Sequence, residues 1–338
     1  MRHQKKRWFA ALLSLCMLLS ILPSTSIAFS ESEETWSGNR RKQTIDGGTH
    51  TITLSNLTID SPGVEKSAID ITGNADVTFI LEGNNTLRGY RNHPAIWVES
   101  GSSVTFEGNG LLEASAGGAS IGLGAAGIGG GYGASSNFGN ITINGGTIIA
   151  RGSGGGAGIG GGYEVGSGTV TGNVTINGGY VTAIGGSSGS TGGAGIGSGE
   201  NANYSGTVTI NGGVVYAEGG ADSTSIGRGN RAIGTSDNGA FTTGTGGNAV
   251  IVAPDGIGDP SGFADWDGIF ISYEGNNTSA TVGEDGTVHL NDTEANIQVW
   301  GEPVIDYPLV DGSAPSCGSS RMTETTPTPL WKSARTAN

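Results

Sequence analysis

The chain has little charge and few prolines. Only 14% of its 338 residues are charged and 10 are proline, whereas a globular domain typically has about 25% charged residues. Glycine is abundant, with 65 residues, but it does not recur at every third position, so a collagen-like triple helix is excluded. No long amphipathic run of Ala, Leu, Glu and Lys occurs after residue 30, so we expect an all-β chain with little helix.

Cysteine is also scarce, which excludes a disulfide framework. Residues 1–28 have a basic start, a short apolar stretch broken by Pro23 and a small-residue cleavage site. This pattern predicts a signal peptide and a secreted, extracellular or cell-surface protein with no membrane span in the mature chain. Since Cys16 lies in the leader, only Cys317 would remain, and stability must come from burial and backbone pairing.

Lys and Arg are fewer than Asp and Glu, and this imbalance limits the kinds of partner that the protein can bind. The formal net charge is −14, which argues against nucleic acid, because phosphates attract basic surfaces. The glycine-rich loops do not predict a nucleotide site, because neither a Lys-Ser or Lys-Thr pair nor a helix pattern follows them. We expect no nucleic-acid partner and no required cofactor.

The dominant feature present is an internal repeat with steps of 33 and 34 residues. Asn140–Ala150 recurs as Asn173–Ala183 and Thr207–Ala217. A second, glycine-rich element interleaves at 126–132, 157–163 and 194–200, and in a decayed form at 225–230. Repeats of this length that cannot close a core alone must stack on their neighbours.

Each repeat predicts about three short strands. Branched apolar residues alternate with Thr, then Asn-Gly-Gly turns the chain, and a second alternating run follows. The Ala-Gly-Ile-Gly element supplies the third strand. Three strands joined by corners and repeated at a near-constant step predict a β-solenoid in which each coil pairs in parallel with the next.

The pattern divides the chain into five segments. We expect the signal peptide at 1–28, a linker at 29–43 and the repeat domain at 44–253. A strand-rich C-terminal cap or partial second module follows at 254–312, with strands near 268–273, 287–290 and 297–300. Residues 313–338 are rich in Pro, Thr and Ser and predict a disordered tail, or the end of a truncated or frame-shifted gene.

Residues 44–250 resemble the secreted carbohydrate-binding-domain proteins of Firmicutes, which are similar in fold to pectate lyases. The segment Ala68–Leu87 carries the likeness best. The Gly-Ala-Gly-Ile-Gly-Gly-Gly and Ile-Asn-Gly-Gly elements are similar to glycine-rich repeat surface proteins of gut bacteria. The resemblance implies a right-handed parallel β-helix, displayed outside the cell, that contacts polysaccharide, with Ca²⁺ as a ligand.

Aromatic residues are the candidate carbohydrate-binding positions. Tyr132 and Tyr163 follow the same glycine run in adjacent repeats, so a sugar chain is expected to lie across both rings, while Tyr180 and Tyr216 fall nearby at non-equivalent positions. The alternative is that the tyrosines only shield the glycine-rich loops. The same column continues as Glu200 and Asn230.

Acidic and polar side chains offer further candidate sites, each with a purely structural alternative. Oxygen ligands suited to Ca²⁺ are available from four acidic residues, Asp60, Asp70, Asp76 and Glu82. The alternative is that these residues simply form a solvated acidic face. Three asparagines at equivalent repeat positions are expected to stack in one column: Asn144, Asn177 and Asn211. Their side chains would either form an internal ladder of amide hydrogen bonds or contact a polar ligand. A column of Thr142, Thr175 and Thr209 would make only a small flat face for ice.

The sequence thus predicts a non-catalytic polysaccharide-binding protein that contacts cellulose or an acidic cell-wall glycan. One alternative is a passive surface stalk or adhesin spacer. The other is a polysaccharide lyase or hydrolase, which the repeats disfavour because charged residues are few and no close carboxylate pair recurs. Nothing in the sequence fixes the oligomeric state.

Overall fold

Two compact units make up the chain, Met1–Ser32 and Glu33–Asn338. The computed structural model describes parts of the second unit only: residues 34–60, 67–118, 123–133, 136–164, 168–230 and 249–258, and the backbone of the strands at 238–243, 268–273, 280–282, 288–290 and 295–300. The predicted signal peptide and the predicted tail lie outside the described residues. Among those residues no helix is long and apolar enough to span a membrane.

The described part of the chain confirms the all-β expectation, because its regular elements are strands. In chain order they are β1 (Glu34–Asn39), β2 (Gln43–Asp46), β3 (Thr49–Asp60), β4 (Ile69–Thr72), β5 (Asp76–Glu82), β6 (Asn84–Arg88), β7 (Ile96–Val98), β8 (Ser103–Gly108), β9 (Leu111–Ser115), β10 (Ile128–Gly129), β11 (Asn140–Ile143), β12 (Thr147–Arg151), β13 (Ile159–Gly160), β14 (Thr169–Val170), β15 (Val174–Ile176), β16 (Tyr180–Ile184), β17 (Ser187–Ser188), β18 (Thr191–Gly192), β19 (Ile196–Gly197), β20 (Asn203–Ile210), β21 (Gly213–Glu218), β22 (Ile226–Gly227), β23 (Asn238–Thr243), β24 (Ala249–Val252), β25 (Gly268–Tyr273), β26 (Ala280–Val282), β27 (Val288–Leu290) and β28 (Ala295–Trp300).

Most of these strands pair in parallel, in three columns. The first column runs β3–β5–β8–β11–β15–β20–β23, with β1 paired to β3. The second runs β6–β9–β12–β16–β21–β24–β25 and belongs to the same 17-stranded sheet. The third is a separate seven-stranded sheet, β2–β4–β7–β10–β13–β19–β22. From β5 to β22 the chain visits the three columns repeatedly in the same order.

The repeat seen in the sequence sets the register. Ile141–Ile143 pairs with Val174–Ile176, and the latter pairs with Val208–Ile210, so equivalent residues lie side by side. Cross-strand contacts span 33 and 34 residues here but only 27 residues between β5 and β8. The corner loops therefore absorb the difference in repeat length, and the strands keep their register.

Alternation puts branched and aromatic side chains in the interior. In the third column one isoleucine from each repeat is stacked in register and buried: Ile69, Ile96, Ile128, Ile159, Ile196 and Ile226. In the first column Trp36, Phe79 and Phe106 form an aromatic stack, with ring centroids 6.3 Å and 5.9 Å apart. Burial of these groups supplies the main stabilisation of the described part of the chain, which contains no cysteine.

A buried asparagine holds the corner between β5 and β6. Asn85 is fully buried, and its Oδ1 accepts a hydrogen bond from the backbone N–H of Leu57 at 2.9 Å. Its Nδ2 donates to the carbonyl oxygens of Glu82 and Leu111, both at 3.1 Å. One side chain thus satisfies three backbone groups from three successive repeats, which removes the cost of burying them unpaired.

The ends of the repeat domain differ from the sequence expectation. Strand β1, Glu34–Asn39, lies within the segment assigned to a linker, so paired strands begin earlier than predicted. Strands are present close to the three positions expected in the C-terminal segment. Of these, β25 continues the second column in parallel, whereas β28 pairs with β25 antiparallel.

Candidate binding surfaces

The glycine-rich element forms a tight loop that positions the tyrosines. In successive repeats the N–H of Ala126, Ala157 and Ala194 donates to the carbonyl oxygen four residues later, at 3.0, 2.9 and 3.0 Å. The enclosed Ile points into the core as part of the third column. Because the loops repeat, the residue after each loop occupies an equivalent place in every repeat.

These equivalent residues form a row, which we call the tyrosine row: Tyr132, Tyr163, Glu200 and Asn230. The backbone joins its members by hydrogen bonds from Gly133 N to Tyr163 O, from Glu164 N to Glu200 O and from Asn201 N to Asn230 O, at 2.9, 3.1 and 2.9 Å.

Tyr132 and Tyr163 stack on each other. Their ring centroids are 5.7 Å apart, the ring planes differ by 19°, and both side chains are half-buried. Each ring therefore covers one face of the other, and the pair presents ring edges and hydroxyl groups along the row. That a sugar chain lies across both rings stays a prediction.

Polar groups surround this pair. The Tyr163 hydroxyl accepts a hydrogen bond from Asn201 Nδ2 at 3.3 Å, and the neighbouring Glu164 carboxylate accepts one from the Ser136 hydroxyl. Glu200 is buried, and a Cβ added at Gly155 would lie 2.6 Å from Cβ of Glu200 and 3.0 Å from Cδ2 of Tyr163. The row and its neighbours thus combine aromatic, amide, hydroxyl and carboxylate groups from three successive repeats.

The other two candidate tyrosines lie in the second column. Tyr180 is half-buried at the start of β16, in register with Thr147 and Val214. Tyr216 is buried on β21, and its hydroxyl donates to Glu218 Oε2 at 2.6 Å. These two tyrosines belong to strands and do not continue the tyrosine row.

The four candidate metal ligands are divided between the two sheets. Asp70 is on β4, in an ion pair with Lys42, while Asp60 and Glu82 are exposed at the ends of β3 and β5. Asp76 accepts a hydrogen bond from the Ser103 hydroxyl. Among the described residues no three His, Cys, Asp or Glu side chains come together in a way that could hold a metal ion.

One pair of carboxylates lies near the C-terminal end of the repeats. Burial raises the pKa of Asp255, and the negative charge of Glu218 raises it further. Hydrogen bonds from Gly219 N at 2.9 Å and from the Ser225 hydroxyl at 3.3 Å oppose this shift. Asp255 accepts a hydrogen bond from the backbone N–H of Gly219 in the preceding repeat, so its side chain stabilises the chain at that corner.

The outward side of the first column carries the most regular surface. Successive strands place threonine beside threonine: the column contains Thr51, Thr78, Thr105, Thr142, Thr175 and Thr209, and the backbone register continues to Thr242 on β23. The expectation of a column of three threonines was therefore too short. The additional threonines could have been predicted from the sequence, because Thr78 and Thr105 lie between apolar residues just as Thr142 does.

Asparagines flank the threonines at β11, β15 and β20. On one side Asn177 Nδ2 donates to Asn144 Oδ1 at 2.8 Å and Asn211 Nδ2 donates to Asn177 Oδ1 at 2.6 Å. On the other side Asn173 Nδ2 donates to Asn140 Oδ1 at 3.0 Å. The expected amide ladder exists, but it is on the outward side, because Ile143 occupies the inward position before Asn144.

Replacing Asn177 tests how much the ladder contributes. Asn177→Ala removes two amide–amide hydrogen bonds that lie in solvent, so we expect the free energy of unfolding to fall by about 1 kcal/mol. Urea denaturation followed by circular dichroism measures the change. The exposed Asn109, replaced by Ala, is the control, and an equal loss in both variants would contradict a stabilising ladder.

Comparison with family models, with curated proteins and with solved structures finds no match to this chain. The class that the fold defines is therefore stated from the strands alone: an all-β protein built on a large parallel sheet.

Proposed function

We infer that the protein is a secreted or cell-surface right-handed parallel β-helix that binds polysaccharide without catalysis. The helical path is supported by the fixed order in which the chain visits its three strand columns. Right-handedness follows the general rule for parallel strands joined by crossovers. The secreted location rests on the leader in the sequence.

The observation that carries the binding proposal is the stacked Tyr132–Tyr163 pair. Two half-buried, nearly parallel rings offer apolar surface and hydroxyl groups to a sugar, as amphipathic aromatic residues do at interfaces. Asn201 and Glu164 add an amide and a carboxylate, which suit sugar hydroxyl groups. A chain polymer that runs along the stacking direction would meet Tyr132 and Tyr163 in two successive repeats and then the polar positions Glu200 and Asn230.

Retention on insoluble glycan tests this proposal. We expect the protein to co-sediment with cellulose or with calcium-gelled polygalacturonate. Tyr132→Ala and Tyr163→Ala are each expected to weaken binding about tenfold, equivalent to about 1.4 kcal/mol. Binding isotherms from depletion measurements give the affinity, and a chelator added to the cellulose assay reports any requirement for Ca²⁺.

Tyr90→Ala is the matched control, because Tyr90 is also half-buried but lies outside the tyrosine row, beside Arg91. Equal weakening by Tyr90→Ala would assign the effect to stability and not to contact. Absence of retention on both glycans by the folded protein would overturn the binding proposal and favour a passive surface stalk.

A further inference from the structure

The threonine column and its flanking residues form a face with a two-dimensional repeat. We call this the threonine face and define its regular part by nine residues on or directly beside β11, β15 and β20: Asn140, Thr142, Asn144, Asn173, Thr175, Asn177, Thr207, Thr209 and Asn211. Neighbouring strands are about 4.8 Å apart, and alternate residues along a strand are about 6.6 Å apart. Equivalent side chains therefore lie on a nearly rectangular grid.

The side chains of this grid are held in place. Threonine is branched at Cβ, so its χ1 angle is restricted. The asparagine amides are tied to one another by hydrogen bonds of 2.6 to 3.0 Å between successive strands. A ligand that matches the grid would thus bind without the entropic cost of ordering these side chains.

The chemistry of the face is uniform and uncharged. The nine residues of the threonine face carry hydroxyl, methyl and amide groups, with no carboxylate, cation or aromatic ring. Carboxylates adjoin the face on earlier described strands: Asp76 and Glu82 lie on β5, and Glu107 on β8 accepts a hydrogen bond from Asn144 Nδ2 at 3.1 Å. The absence of cations here disfavours an acidic glycan, and the absence of rings distinguishes the face from the tyrosine row.

We propose that the threonine face binds ice. The spacing between its strands is close to the repeat of water oxygens along one axis of hexagonal ice. Threonine methyl groups order neighbouring water around apolar surface, while the hydroxyl and amide groups fix that water by hydrogen bonds. A charged surface would instead hold water in its own hydration geometry. This activity is separate from the proposed polysaccharide binding, since it uses another face of the molecule.

Thermal hysteresis and crystal habit test the proposal on the purified full chain. We expect the protein to lower the freezing point below the melting point and to shape growing ice crystals. Thr175→Leu replaces the hydroxyl at the centre of the face with a larger, purely apolar side chain that breaks the grid, and we expect it to lose most of the hysteresis.

Thr182→Leu is the control, because Thr182 is also a half-buried strand residue of the same repeat but belongs to the second column. It is expected to keep the full hysteresis. Circular dichroism verifies that both variants are folded.

Three results would overturn ice binding: no hysteresis or shaping by the folded wild type, equal loss in both variants, or loss of glycan retention by Thr175→Leu without any ice activity in the wild type. The last result would assign the face to a polysaccharide. Failure of the tyrosine variants to affect glycan binding leaves the ice result unchanged, so the two proposals fail separately.

Discussion

Gly160→Ala is expected to lower the free energy of unfolding by about 4 kcal/mol. Gly160 has a φ of +134°, and a Cβ there would lie 1.9 Å from the carbonyl oxygen of Gly197 in the next repeat. The backbone strain costs about 1–3 kcal/mol, and the forced separation of two packed repeats costs a similar amount. Urea denaturation followed by circular dichroism measures the loss.

Gly189→Ala separates the two causes. Gly189 also has a positive φ, +68°, but no atom lies within 4 Å of its added Cβ, so only the strain of about 1 kcal/mol is expected. If Gly160→Ala were no worse than Gly189→Ala, the close stacking of the glycine-rich loops would not contribute to stability. A Gly160→Ala protein as stable as wild type would contradict the packing described for the third column.

Phe79→Ala is expected to cost about 4 kcal/mol of unfolding free energy as well. Phe79 is fully buried between Trp36 and Phe106, so its removal loses transfer free energy and leaves a cavity in the aromatic stack. The same denaturation measurement applies, and the near-ultraviolet circular dichroism of the stack should weaken at the same time.

Ile80→Ala provides the comparison at the adjacent position. Ile80 is on the same strand but on the opposite, half-buried side, so its truncation removes less buried surface and is expected to cost about 1 kcal/mol. A loss at Ile80 as large as that at Phe79 would mean that the two faces of β5 are equally buried, contrary to the alternating pattern.

The strands of the repeats were predictable because their signals are local. Alternation in Ile141–Ile143 gives the inward and outward sides, and the recurrence of Asn-Gly-Gly gives the register of β11, β15 and β20. The outward direction of the asparagine ladder follows from the same alternation and should have been derived from it.

Other features depend on packing between repeats and have no local signal. Upstream of β11 the repeats lack Asn-Gly-Gly and differ in length, so the continuation of the threonine column through Thr105, Thr78 and Thr51 depends on how the corners absorb the difference. The mutual orientation of the Tyr132 and Tyr163 rings depends on side-chain rotamers, which residue spacing does not specify. Sequence alone therefore located the tyrosine row but did not specify the mutual orientation of its rings.

Parallel in-register stacking also governs which residues can be copied when a repeat is duplicated. A duplicated side chain meets its own copy about 4.8 Å away. For Asn, Thr or Tyr the meeting is favourable, as the amide ladders and the tyrosine pair show. For a charged residue it is repulsive, by about 1 kcal/mol in water and several times more near a protein surface. Arg151, for example, faces Ser115 and Ile184 and not another arginine. Growth by duplication therefore selects against charge, which accounts for a composition with only 14% charged residues.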